Sequence, residues 1–188
     1  MSINAINMNY HYARERLDNF INKLVSKNVA GEIFIVGSTA IMFNLPEYQR
    51  VTTDIDVSIS LNKNFFQTFK ETAQEVADEL EMSHDWINAS VFYVMPDKKD
   101  KGPHEYFNNG TLKVRFASKE YLLAMKVMTS RKKDRDIEDG AILFNKLNLK
   151  DADEVIDIVE QYYTRPPRSE LMNAFTIAKR AKQMKKLN

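Results

Sequence analysis

The sequence contains no cysteine, which excludes disulfides, thiolate zinc sites and cysteine nucleophiles. Its three histidines, His11, His84 and His104, lie too far apart for ligand spacing. Each reads as a surface or partly buried histidine. No apolar run approaches the roughly 20 residues that cross a bilayer, and Met1 to Tyr10 are too polar for a signal peptide. The chain also has no internal repeat and no low-complexity stretch. These absences point to a cytoplasmic protein without a membrane partner.

Net charge is small, but the charges are unevenly placed. Of 27 basic and 26 acidic side chains, seven basic and one acidic fall in residues 165–188, so a net charge of +1 hides a basic tail on an acidic body. Such a tail is a candidate contact for nucleic acid, and otherwise a solvated helix face at a chain end. Within it, Lys179, Lys182 and Lys186 fall on neighbouring helical positions, which Arg180 does not share.

With 188 residues and 44% hydrophobic content, the chain can bury one substantial core. Tyr10, Ala13, Leu17, Phe20, Ile21, Leu24 and Val25 recur at helical spacing, predicting an amphipathic helix over 9–28. Ile33 to Val36 reads as a short buried strand, and 39–45 as a short helix halted near Pro46. A strand is expected over 54–60, then a helix capped by Asn64 and running to about Leu80. Val91 to Val94 and Thr111 to Phe116 read as further strands, separated by a loop, Pro96 to Gly110, that is the candidate mobile segment. Beyond Ser118, a capping residue, the pattern is helical, with Ile137 to Leu147, a helix opened by Asp151, and a final helix after Pro166-Pro167. The nine methionines mostly occupy helical core positions, where packing explains them.

The chemistry concentrates around Asp54-Ile55-Asp56. Strand alternation turns Asp54 and Asp56 to one side and Ile55, Val57 and Ile59 to the other. Two adjacent carboxylates repel unless a cation or a proton lies between them. Paired hard oxygen ligands suit Mg²⁺, which keeps several waters and takes substrate phosphates as further ligands. Upstream, Gly37 permits close backbone approach, and a helix beginning near Ser38 would aim its N–H groups at an anion. Phosphate on one side and metal on the other describe a nucleotide site. The competing explanation is a solvated strand end beside an ordinary Gly-Ser turn.

The order strand, Gly37-Ser38, helix, Arg50 and Thr52-Thr53, then Asp54-Ile55-Asp56 resembles the core motif of the nucleotidyltransferase superfamily. There Gly-Ser opens a helix and the paired Asp residues hold divalent metal. A second block, Leu122-Leu123 with Lys126, then Arg131, then Asp136 and Asp139, is similar to one in a bacterial branch that includes the AbiEii-like toxins of type IV toxin–antitoxin systems. By pattern alone Lys126, inside the apolar run 121–129, either snorkels to solvent or is partly buried with a function. Asp85-Trp86-Ile87-Asn88 is also similar to a segment of uncharacterised relatives, and the resemblance spans about residues 31–145.

The resemblance implies an α/β (α+β) fold, a small mixed sheet flanked by helices, with a core over 1–117 and a helical C-terminal region over 118–188. It implies that Gly37 and Ser38 hold the triphosphate, that Asp54 and Asp56 bind Mg²⁺ (or Mn²⁺), and that Lys126 neutralises phosphate charge. Asp136 or Asp139 would complete the active-site wall or orient Lys126, and Arg50 and Arg131 would contact phosphate. The activity implied is transfer of a nucleoside monophosphate from an NTP to a tRNA, other RNA or protein acceptor. The setting implied is toxin–antitoxin or phage defence, with a cognate antitoxin as partner. One departure stands out. The superfamily's third carboxylate, from a neighbouring strand, has no counterpart in 90–95 or on the polar face Thr111, Lys113, Arg115. The rival readings are a binding module with a degraded site and an enzyme modifying a small molecule such as an aminoglycoside.

Overall fold

A computed structural model describes residues 8–60, 62–89, 91, 95–129 and 134–186. The chain forms two compact units, Met1–Phe92 with Pro103–Phe116, and Tyr93–Gly102 with Ala117–Asn188.

The first unit contains α1 (Tyr10–Ser26), β1 (Gly31–Ile35), α2 (Gly37–Asn44), β2 (Ile55–Ile59), α3 (Lys63–Glu79), β3 (Ile87–Asn88), β4 (His104–Asn108) and β5 (Leu112–Phe116). The strands form one mixed sheet in the order β3-β2-β1-β5-β4. β1 runs antiparallel to β2 and parallel to β5, β3 is parallel to β2, and β4 is antiparallel to β5. This is the α+β arrangement expected. Register follows the apolar pattern: Ile33 lies opposite Val114 and Ile59, and Ile35 opposite Phe116 and Val57. Slipping any of these strands by one residue would expose its buried set.

Aromatic packing fixes the helices on the sheet. Phe20 of α1 meets Phe69 of α3 edge-on at 5.1 Å and Trp86 at 5.7 Å. The Trp86 indole donates to the Ala73 carbonyl at 2.9 Å, so the buried ring keeps its polar edge satisfied. Phe43 of α2 stacks on Phe116 at 4.2 Å, and Tyr106 of β4 closes on both rings. The Tyr106 hydroxyl donates to Asp18 of α1. Burial, and then that carboxylate, push the phenol well above its ordinary pKa.

The second unit holds α4 (Lys119–Val127), α5 (Asp134–Lys146), α6 (Ala152–Tyr162) and α7 (Arg168–Lys185). Ser118 and Asp151 cap α4 and α6 as expected, accepting from Tyr121 N and from the amides of Asp153 and Glu154. Gly140 lets α5 approach α7 closely, since a Cβ there would lie 2.6 Å from Ile177 Cδ1.

Two sequence expectations need correction. Asn62, not Asn64, caps α3, accepting from Asn64 N and Phe65 N; Asn64 is already helical and cannot serve as the extended cap residue. The stretch Pro96–Gly110 is not wholly loop, because β4 lies inside it, and Asp97, Lys98 and Asp100 bond to Thr164, Glu160 and Ser118. A register shift between Glu105 and Phe107 breaks the alternation that would have revealed β4. The strand expected at 91–94 falls outside the described residues except for Val91; the described strand beside β2 is Ile87–Asn88.

Gly31 supplies a test of the packing. A Cβ there would sit 2.5 Å from Cε2 of Phe65, a fully buried ring. Restricting the unfolded chain normally favours Gly→Ala by about 0.4–1 kcal/mol, whereas overpacking costs about 1–3 kcal/mol. Gly31→Ala is therefore expected to be net destabilising, read as a lower urea midpoint at unchanged slope. An unchanged or higher midpoint would show that the ring can yield.

Candidate functional site

The site in the first unit starts at the end of β1. There Val36 N–H donates to the Asp56 carbonyl at 2.9 Å, and the chain turns at Gly37 with φ +66°. A Cβ on Gly37 would come within 2.5 Å of Asp56 Oδ2, so two independent reasons require glycine here. The α2 helix starts at this residue, earlier than the expected 39, and no side chain caps it. Its first-turn amides and positive dipole end thus begin against the β2 carboxylate. Ser38 Oγ accepts from Arg50 Nη2 at 3.2 Å, bringing the guanidinium to the same helix end.

The turn before β2 is held rather than loose. Met8 and Thr52 exchange backbone hydrogen bonds of 2.6 and 3.0 Å. Thr52 Oγ1 then donates to Asp54 Oδ1 at 3.1 Å, and Thr39 Oγ1 to the Asp54 carbonyl at 3.2 Å. Asp54 precedes the strand and Asp56 lies within it, and one side-chain nitrogen touches both. Asn88 Nδ2 on β3 lies 3.4 Å from Asp54 Oδ2 and 3.4 Å from Asp56 Oδ1. These contacts are long for hydrogen bonds, but they place both carboxylates on one side of the sheet.

Gly37, Ser38, Arg50, Asp54 and Asp56 are therefore brought together. Thr52 and Asn88, which the motifs contain without a role assigned to them, join them together with Thr39. The position on the strand beside β2, where an acid was sought at 90–95, belongs to residues 87–88 and carries an amide. Among the described residues no group of three or more His, Cys, Asp and Glu could hold a metal. Two carboxylates beside a helix N-terminus still suit a hard cation that arrives with phosphate and keeps its waters.

The second constellation belongs to the second unit. Lys126 Nζ on α4 lies 2.6 Å from Asp136 Oδ1 and 2.8 Å from Asp139 Oδ2 on α5. Asp136 and Asp139 share a helical face, as their spacing requires. The Lys126 side chain is 11% exposed and that of Asp139 is 0% exposed, so the snorkelling alternative does not hold. Arg131 falls outside the described residues. On α7 and at its C-cap, Lys179, Lys182 and Lys186 line one groove of about 510 Å³ with Phe175, while Arg180 turns away to Glu138 at 2.8 Å. All three histidines are exposed, and no described helix is long and apolar enough to cross a membrane.

The family model described as "Nucleotidyltransferase of unknown function (DUF6036)" matches residues 14–186. The chain belongs to this family, and the match takes in both constellations and the basic helix α7. No curated protein and no solved structure matches.

Two outcomes follow from these geometries. Asn88→Asp replaces a donor lying between two carboxylates with a third negative charge. The variant should melt below the wild type in chelator and gain more than the wild type when Mg²⁺ is added, as thermal-shift measurements can show. Equal Mg²⁺ responses would mean that no Mg²⁺ binds beside residue 88. Lys126→Met strands two carboxylates, one fully buried, and removing one partner of a buried pair costs about 3–5 kcal/mol. Urea unfolding should show that loss, and Lys126→Met combined with Asp139→Leu should recover part of it.

Proposed function

We propose that the chain is a Mg²⁺-dependent nucleotidyltransferase that moves a nucleoside monophosphate from an NTP to an acceptor hydroxyl and releases pyrophosphate. Membership of the family supports the general class. The observation that carries the specific reading is the contact of Gly37 with Asp56, because it joins an anion-binding helix end to a carboxylate pair within one unit.

In this reading the α2 amides and Ser38 bind the triphosphate, with Arg50 beside them. Asp54 and Asp56 hold Mg²⁺, or Mn²⁺ in its place, and the bound ion supplies charge neutralisation at the phosphate oxygens. Thr52 orients Asp54, and Asn88 fixes the spacing of the pair. Lys126 lies between Asp136 and Asp139, so its part is to hold α4 against α5 within the second unit. Arg131 remains a proposed phosphate contact. The resemblance to the AbiEii-like branch extends the proposal to a cytoplasmic toxin of a toxin–antitoxin or phage-defence system, with an RNA or protein acceptor and a cognate antitoxin.

One observation favours a second reading. β3, which pairs with β2, places an amide, Asn88, opposite Asp56 and adds no third carboxylate there. A protein that binds NTP without transferring it, as a partner in a regulatory or defence complex, would tolerate that amide.

Incubating the purified protein with each labelled NTP, Mg²⁺, and total tRNA or cell lysate separates the two readings. The transferase reading expects label in a macromolecule. Asp54→Asn and Asp56→Asn should each lower its incorporation more than about 100-fold, since even residues that merely orient metal ligands contribute about 10–100-fold. Thermal stability should stay level or rise slightly as like-charge repulsion is relieved. Mg²⁺-dependent NTP binding without incorporation under any acceptor would support the binding module. Full incorporation by either variant would remove the metal assignment.

A further inference from the structure

Two rows of opposite charge lie side by side on one face of the second unit. In α7 and its C-cap, Arg168, Met172, Phe175, Lys179, Lys182 and Lys186 recur three or four residues apart and form one stripe. All six are exposed, Met172 at 60% and Phe175 at 50%. In α6, Asp153, Asp157 and Glu160 recur at the same spacing and are exposed as well. The groove of about 510 Å³ runs between the rows, with Asp151 and Asp153 of the α6 side facing Phe175, Lys179, Lys182 and Lys186.

The two helices run antiparallel. The first residues of α6 line the groove together with the last turns of α7, and only residues 163–167 connect the helices. Asp153 therefore stands level with the turn of Lys182. Asp157, one turn further along α6, stands level with the turn of Lys179.

This pairing of rows selects among partners. A nucleic-acid strand drawn to the lysines would lie along the α6 carboxylates, with phosphate facing like charge. An acidic peptide would meet the same repulsion. A fitting partner carries acid opposite α7 and base opposite α6, at matching levels along the helices. Exposed Met and Phe beside the charges are side chains that protein interfaces favour.

A second copy of this chain meets the requirement by symmetry. A two-fold axis laid along the groove, parallel to the helices, exchanges the two rows and keeps every residue at its level. Asp153 then faces Lys182 of the second copy, and Asp157 faces Lys179 of the second copy. Phe175, which lines the groove, lies near the axis and meets its own counterpart.

We infer that the α6–α7 face joins two copies of this chain in a homodimer. The inference is independent of the transferase reading. α7 has 18 residues, so a footprint of about 27 Å by two helix diameters of about 10 Å covers about 540 Å² on each copy. That is the low end for specific interfaces. The dimer is accordingly weak, and its charge pairs make it sensitive to salt.

Sedimentation velocity of the full chain, from micromolar to near-millimolar concentration, tests this. Wild type should pass from monomer to dimer as concentration rises, and salt should move that transition to higher concentration. Asp153→Lys with Asp157→Lys makes both rows basic, and Lys179→Glu with Lys182→Glu makes both acidic. Each double variant alone should dimerise more than about tenfold more weakly, because like rows now meet. Mixed in equal amounts, the two should associate as a heterodimer. Phe175→Glu changes an exposed position and leaves both rows intact, so it stands in if a charge variant fails to fold. It places two carboxylates near the axis and should also be monomeric.

Wild type that stays monomeric throughout overturns the proposal. If that monomer binds single-stranded RNA, and Lys179→Glu with Lys182→Glu abolishes the binding, the lysines belong to nucleic acid instead. A dimer that survives both charge reversals and Phe175→Glu also overturns it, since the contact then lies elsewhere. Double variants that fail to associate on mixing, beside a wild type that dimerises, overturn the two-fold arrangement of the rows.

Discussion

The approach of Gly37 to Asp56 is the constraint on which the rest of the first unit's site depends. A carboxylate oxygen occupies the space where any other residue would place its Cβ. The left-handed turn at Gly37 then starts α2 with its amide end beside β2. Strand pairing carries the constraint outward, because the Val36 amide and the Asp56 carbonyl extend the β1–β2 ladder up to the turn. The helix N-terminus and the carboxylate are therefore placed by the same few backbone atoms. Distances within such a site follow from sheet register, which apolar burial on both sides of β1 already fixes.

Asn88 reaches the site by a less direct route. Two residues of strand cannot specify their own register, so the buried Trp86 does it for them. Its ring is locked by Phe20 and its indole N–H by the Ala73 carbonyl. Its own carbonyl accepts from Ile55 N at 2.7 Å, which sets the β2–β3 pairing. A core residue with no chemistry of its own thus determines where the amide lies.

How legible each feature was depends on how local its cause is. The strand–Gly37–Ser38–helix order, the Asp54/Asp56 alternation and the caps at Ser118 and Asp151 depend on residues within a few positions of one another, so the sequence displays them. The α1 face from Ala13 to Leu24 is equally visible because burial repeats at helical period. β4 was hidden by its irregular register, although Asn109-Gly110 before Leu112 is a strong hairpin signal. The place of Asn88 could not be read from spacing, because a two-residue strand has no period. That Asp136 and Asp139 share a face was readable from their spacing. That both would close on Lys126 depended on how α4 packs on α5.

Two of the acidic pairs, Asp54/Asp56 in the first unit and Asp136/Asp139 in the second, are held in opposite ways. In the second unit the group between the carboxylates is an ammonium, so attraction is built into the fold and little of the triad is open to water. In the first unit the group between them is an amide, which orients oxygen atoms but contributes no charge. An amide can be displaced or joined by a cation at small cost, whereas expelling a buried lysine would strand its partners. Sequence spacing accompanies the difference: helical spacing of three turns Asp136 and Asp139 to one cation on a packed neighbour, while strand spacing of two places Asp54 and Asp56 at the end of a sheet beside a helix N-terminus. The acid pair bridged by a neutral group is the one suited to exchange an ion with solvent, and the pair bridged by lysine is the one suited to hold helices together.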